Sequence, residues 1–170
     1  MFTVDRRVPV NADAGEPTLT RAQVWRGLVM KAENAVPFVP AMTLCEVVER
    51  RENQLVREIV LRGQRLTERV TFYPERMVKF ERLSGGAMGT ILNEIAEDER
   101  DGLCLRFTFT LGVESLAPGS AEEKEFAKVM EADYLTTMSA TVRIIRHLVR
   151  EGGWPADDER HPHTEISAPL

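Results

Sequence analysis

Cysteine is nearly missing from this chain: Cys45 and Cys104 are the two thiols in 170 residues. They stand far apart, without the short spacing of thiolate metal ligands and too few for a disulfide framework. Free, buried thiols in a reducing compartment are the expectation. Long apolar runs are missing too. None approaches the ~20 residues of a membrane-spanning helix, and no basic-then-apolar leader opens the chain. A cytoplasmic protein without a membrane span is expected. Histidine is scarce, and His147, His161 and His163 all lie in or after the last predicted helix. No Ser-His-Asp, Cys-His or His-Glu-x-x-His arrangement is therefore legible. His147 reads as a surface residue near a helix C-terminus, where positive charge is favourable. His161-Pro-His163 lacks supporting ligands, so no metal and no cofactor is expected. A surplus of positive charge is likewise absent. The net charge is −5, of which residues 152–170 contribute −3 through Asp157, Asp158, Glu159 and Glu165 against Arg160. The remaining 21 basic and 23 acidic residues leave a nearly neutral body, with no electrostatic case for nucleic acid or anionic membranes. There is no internal repeat. Gly85, Gly86 and Gly89 belong to a turn and its strand, with no helix behind them to make a phosphate loop.

What is present is ordinary for a globular chain, 43% hydrophobic and 29% charged. Residues 1–153 are expected to form one domain, followed by a flexible acidic tail at 154–170. The organising element is the stretch 120–153. Phe126, Val129, Met130, Tyr134, Met138, Thr141, Ile145 and Leu148 recur at helical spacing. Ser120 and Glu123 have the form of a capping box, while Gly152, Gly153 and Pro155 punctuate the end. At ~1.5 Å per residue this helix is roughly 45 Å long, enough to cross a small domain.

Upstream, Phe2, Val4, Val8 and Val10 mark a first strand. Thr20 and Gln23 cap a helix over about Arg21 to Ala32, with Leu19 placed to staple onto Val24. Pro37 and Pro40 end helical tendency. From Ala41 to Val113 the period shortens to two, and six strands follow. Turns fall at about Arg51–Asn53, Arg62–Gln64, Pro74–Arg76, Ser84–Gly86 and Glu99–Gly102, which describes an antiparallel meander. In the last strand Leu103, Leu105, Phe107, Phe109 and Leu111 share a buried face, and Cys104, Arg106, Thr108 and Thr110 a wet one. The packing solution is a sheet that curls around the long helix.

The order of these elements resembles the helix-grip fold of the START and birch-pollen-allergen-like superfamily, also called SRPBCC. Three stretches, VPVNADAGEPTLTRAQVWRGLVMKAENAVPFVP, ERVTFYPERMVKFE and LCLRFTF, resemble the AtaL-like family, a set of bacterial and fungal proteins of undefined function. They run from the first strand to the last, and the resemblance covers everything but the tail. It implies an α+β fold: a curved antiparallel sheet of about seven strands wrapped around the C-terminal helix, with short helices after the first strand. It also implies a cavity for a hydrophobic or amphipathic small molecule. Superfamily relatives include lipid carriers, hormone receptors, polyketide aromatase/cyclases and ring-hydroxylase subunits, so the fold alone does not decide function.

Strand parity nominates the polar lining. A two-residue turn at Gly63-Gln64 places Leu61 opposite Leu66, Ile59 opposite Glu68 and Arg57 opposite Val70. Arg57 and Glu68 are then diagonal neighbours on the helix-facing side, with Glu58 across from Arg69 outside. A three-residue loop Pro74–Arg76 next places Val78 opposite Phe72, Phe80 opposite Val70, and Arg82 opposite Glu68. Glu68 flanked by Arg57 and Arg82 is thus expected to face the groove, with Tyr134 and Thr137 offering hydroxyls and Asn93 on the sixth strand nearby. A one-residue slip would turn the trio outward.

Two guanidinium groups would hold Glu68 as a carboxylate committed to ion pairing rather than proton transfer. One positive charge remains unbalanced, which suits an anionic head with an apolar body along Phe80, Phe107, Phe109 and Met138. The expected function is binding of a small hydrophobic or amphipathic, including anionic, molecule. The alternatives are a polyketide cyclase-like or isomerase-like enzyme resting on Glu68 or Tyr134, and a protein-interaction module, for which Trp154 and the tail are the hints. Beyond the ligand, a homo-oligomer is left open.

Overall fold

The alternating Leu105, Phe107, Phe109 and Leu111, all fully buried, lie on one strand of a seven-stranded sheet, one in from its edge. In the computed structural model, residues 1–13, 16–152 and 154 are described. The elements are β1 (Phe2–Pro9), α1 (Arg21–Glu33), β2 (Met42–Arg51), β3 (Gln54–Leu61), β4 (Gln64–Tyr73), β5 (Met77–Arg82), β6 (Ala87–Asp98), β7 (Gly102–Val113) and α2 (Ala121–Gly152). The strand order is β1-β7-β6-β5-β4-β3-β2, antiparallel throughout. Every neighbour is a sequence neighbour except β1, which returns to pair with β7. The sheet curves, and the long helix completes an α+β helix-grip fold. Register shifts in β2 at Met42/Leu44 and Val47/Glu49 add local twist at that edge.

The expected turns recur, and the strand count is the one read from the sequence. Between β1 and β2 the described residues hold a single α-helix rather than several short ones. Its capping box is complete: Thr20 Oγ1 accepts from Gln23 N–H, and Gln23 Oε1 accepts from Thr20 N–H at 2.9 Å. The box expected at α2 is half formed. Ser120 Oγ accepts from Glu123 N–H at 3.1 Å, but the Ser120 N–H already donates to Ala117 O. The Glu123 carboxylate accepts from Gly119 N–H instead.

On α2 the buried stripe runs through Met138, Thr141, Val142 and Ile145, whereas Val129 is 44% exposed and so lies off the stripe. The two helices meet closely because Gly27 has no side chain. A Cβ there would lie 2.3 Å from Ile145 Cδ1 and Cγ1. Trp154 is buried rather than poised for an external contact. Gln23 Nε2 donates to its carbonyl at 2.9 Å, and the Arg26 guanidinium lies 4.3 Å from its ring centroid. Cys104 is buried and Cys45 half-buried, both as free thiols. His147 is exposed. Gly153 and residues 155–170 of the expected tail, His161 and His163 included, lie outside the described residues.

Candidate functional site

Two hairpins set the polar centre. The β3–β4 turn is Arg62-Gly63, with φ of 49° and 78°. Positive φ at both central residues is the primed hairpin geometry, whose twist matches the flanking strands. The turn therefore sits one residue earlier than Gly63-Gln64, and pairing moves by two: Leu61 faces Gln64, Ile59 faces Leu66, and Arg57 faces Glu68 directly. A shift of two keeps every side chain on its face. Outside, Glu58 faces Thr67, not Arg69, and its carboxylate pairs with Arg65. The β4–β5 loop is Pro74–Arg76 as expected, giving Phe72 opposite Val78, Val70 opposite Phe80, and Glu68 opposite Arg82. Asn93 sits across from Val78 and Phe107, on the same inner face.

Glu68 is thus bracketed by arginines on both flanking strands. Arg57 donates to Glu68 Oε2 from Nε at 3.0 Å and Nη2 at 2.8 Å. Its Nη1 donates to Ala32 O at 2.7 Å and Lys31 O at 3.2 Å, the carbonyls that the last turn of α1 leaves without helical partners. Its guanidinium also lies 4.9 Å from the Phe80 ring centroid. Arg57 therefore ties sheet to helix and has little left to offer a ligand.

Arg82 is placed differently. Its Nη1 donates to Ala87 O at 3.3 Å, and its Nε is 3.7 Å from Glu68 Oε1, an ion pair without a hydrogen bond. Among the described residues, Arg82 Nε and Asn93 Nδ2 are buried donors with no hydrogen-bond partner. Such a group costs about 1–3 kcal/mol unless something accepts from it.

Sequence reasoning missed Lys31. Its amine is buried and donates to Asn93 Oδ1 at 3.1 Å and Met138 Sδ at 3.8 Å. Burial and then the Arg57 charge push its pKa down to about 7, against the attraction of Glu68. The spacing of Val24, Leu28 and Lys31 puts the amine on the apolar face of α1 but does not say which element covers it.

These groups form the floor of a 930 Å³ cavity between the sheet, the C-terminal end of α1 with residues 35–42, and α2. Arg57, Glu68, Phe80, Arg82, Asn93, Tyr134 and Thr137 line it. Phe107, Phe109 and Met138 do not, contrary to expectation, and all three are completely buried. Tyr134 covers the two phenylalanines, its ring centroid 5.6 Å from Phe107 and 5.0 Å from Phe109. Burial pushes its phenol up to about 12, only partly offset by Arg82, so it is a donor at neutral pH. The walls above the floor are apolar, with Val39, Met42, Ile59, Leu66, Leu116 and Met130 among them. At the exposed rim, Arg62 of the β3–β4 turn pairs with Asp133 of α2. Among the described residues no cluster of three or more His, Cys, Asp or Glu could hold a metal ion, and no helix is long and apolar enough to cross a membrane.

Residues 5–152 match the family described as acetylaranotin biosynthesis cluster protein L. The Aspergillus terreus protein of that description is 26% identical over 154 residues, covering 89% of this chain and 92% of its own length. Among solved structures, the Zhui aromatase/cyclase from Streptomyces sp. R1128 superposes with a TM-score of 0.72 at 16% identity, covering 91% of this chain and 99% of the other. A START superfamily protein from Mycobacterium smegmatis gives 0.61 at 16% identity, covering 84% and 98%. At these identities the likeness is one of fold.

Proposed function

The chain belongs to the acetylaranotin biosynthesis cluster protein L family, and on that footing we propose that it binds one small amphipathic molecule in the cavity. The apolar body lies between the sheet and α2, and a hydrogen-bond-accepting head meets the floor. One observation carries this reading: Arg82 Nε and Asn93 Nδ2 are buried donors without partners at the base of a 930 Å³ cavity. A carboxylate, enolate or ketone oxygen placed against either donor satisfies it. Charge points the same way, since Arg57 and Arg82 against Glu68 leave one positive charge whatever the state of Lys31. In this arrangement Arg82 and Asn93 hold the head, while Phe80, Tyr134 and Thr137 shape the space around it. Arg57 and Glu68 act as positioning residues, and Phe107, Phe109 and Met138 back the wall.

Isothermal titration with a panel of amphipathic acids and their methyl esters tests this. Acids are expected to bind more tightly than their esters. Arg82→Gln is expected to lower acid affinity about tenfold or more, that is ~1.4 kcal/mol or above. Equal binding of acid and ester, unchanged by Arg82→Gln, sinks the reading.

Catalysis through Glu68 or Tyr134 is the weaker reading. Both Glu68 oxygens face arginines, at 2.8 and 3.7 Å. The Tyr134 phenol holds its proton far above neutral pH.

A further inference from the structure

Of the four lysines, Lys31 is the one whose side chain is buried; Lys79 is half-buried and Lys124 and Lys128 are exposed. Burying a lysine amine is costly unless it is paired with an opposite charge or sheds its own. The hydrogen-bond partners of Lys31 are a neutral amide and a thioether, not a carboxylate. Arg57 on β3 and Glu68 on β4 are the charges that act on it, and both line the cavity together with Arg82 on β5 and Tyr134 on α2. Arg57 is a fixed positive charge. The single carboxylate, Glu68, is already held by Arg57 through two hydrogen bonds. The surroundings therefore favour the neutral amine. Its two hydrogens go to Asn93 Oδ1 and Met138 Sδ, which leaves the nitrogen lone pair for another partner.

Asn93 links this amine to the donor site. Its Oδ1 accepts from Lys31, so its Nδ2 is the end left without a partner, and Arg82 Nε is the second such donor on the floor. An oxygen that accepts from Asn93 Nδ2 belongs to a carbon brought close to the Lys31 nitrogen, because Nζ stands 3.1 Å from the oxygen of the same amide. Hydrogen bonding of that oxygen also polarises the carbonyl toward attack. A buried amine with a free lone pair beside a preorganised carbonyl donor is the arrangement of an activated lysine nucleophile.

We propose that Lys31 is a carbonyl-reactive amine that condenses with a ketone or aldehyde of the molecule bound in the cavity. The inference rests on the reading of the cavity as a ligand site and adds the chemical class of the head, a carbonyl. In the step, the Nζ lone pair forms the N–C bond while the C=O π pair moves to oxygen, facing Asn93. Two protons from the nitrogen are transferred to that oxygen, which departs as one water, leaving a C=N imine. With a β-diketone, loss of the intervening C–H proton to the imine nitrogen gives a conjugated enaminone. Amine plus carbonyl becomes imine plus water, and no oxidant or reductant is consumed. The pKa of about 7 is in keeping with this, because a large share of the amine is neutral at physiological pH.

The test uses the full chain and benzoylacetone, an amphipathic β-diketone whose lysine enaminone absorbs in the near ultraviolet. Occupancy is followed by displacement of a fluorescent apolar dye, and covalent reaction by intact mass and peptide mapping. The expected result is dye displacement plus a single adduct, of diketone mass less one water, on the peptide carrying Lys31. Its rate should rise as pH passes through about 7. Lys31→Met, which keeps length and removes the amine, should still displace the dye and form no adduct. Dye displacement without adduct in the wild-type protein overturns the inference and leaves the cavity reading standing. Label spread over Lys79, Lys124 and Lys128 overturns it as well. If neither displacement nor adduct is seen, both readings fall together.

Discussion

Breaking the Arg57–Glu68 pair should cost far more than breaking a surface pair of nearly the same closest distance. The Arg57 Nη2–Glu68 Oε2 distance is 2.8 Å with side chains 5% and 3% exposed; the Arg65 Nη1–Glu58 Oε2 distance is 2.9 Å with side chains 62% and 38% exposed. Distance is matched and burial is not. Glu68→Gln leaves Arg57 and Arg82 buried without a counterion, which costs about 3–5 kcal/mol. For a chain of this size ~1 kcal/mol shifts Tm by about 2–4 °C, so a fall of roughly 6–20 °C is expected. Arg57→Met should cost a comparable amount by a different route. It orphans the carbonyls of Lys31 and Ala32 and leaves Glu68 with Arg82 at 3.7 Å alone. The double variant Arg57→Met/Glu68→Leu removes the stranded charge as well, so its loss should fall short of the sum of the singles by about 1–3 kcal/mol. The Arg65–Glu58 cycle should show a coupling below ~1 kcal/mol, reduced further by salt. Urea unfolding followed by circular dichroism, with Cm and m fitted for all variants, supplies each number. Additivity at Arg57 and Glu68 within ~0.5 kcal/mol would refute the argument that burial makes this pair matter.

Three further outcomes can be measured on the same footing. Lys31 binds its proton less tightly when folded, with a pKa of about 7 against 10.5, so the unfolded chain holds the extra proton between those values. Its contribution to stability therefore rises as pH climbs from about 7, at up to ~1.4 kcal/mol per pH unit, and levels off near the unfolded value. Unfolding of Lys31→Met across this range should lack that rise, and parallel wild-type and variant curves would contradict it. Gly27→Ala would ordinarily stabilise an exposed helix by about 1 kcal/mol. Here the new methyl meets Ile145, itself fully buried, at 2.3 Å, so a net loss of about 1–3 kcal/mol is expected from overpacking. A rise in Tm would disprove close α1–α2 contact at this point. Trp154→Ala removes the ring under Arg26 and should cost about 1–3 kcal/mol. It should also speed amide exchange in the last turn of α2, whereas unchanged exchange would count against Trp154 as a clasp.

Local pattern was enough for the elements and their faces. Side-chain direction in a strand has a period of two, so Val70, Phe72, Val78 and Phe80 declare one face whatever the exact pairing. That is why a turn misplaced by one residue still put Arg57, Glu68 and Arg82 inside. Thr20 with Gln23 marked a helix start for an equally local reason, since the cap is satisfied within four residues. Direct pairing of Arg57 with Glu68 was not legible, because only the backbone decides whether Arg62-Gly63 or Gly63-Gln64 takes the positive φ values. Tertiary structure alone decided the roles within the site. Arg57 became a strut because the end of α1 arrives over β3 and presents its carbonyls. Phe107 and Phe109 became core because the Tyr134 ring lies over them. Lys31 became a buried amine because α1 lays its apolar face, lysine included, against Asn93 and Met138. Each depends on which surface another element covers, and burial by a distant element is a property no local spacing encodes.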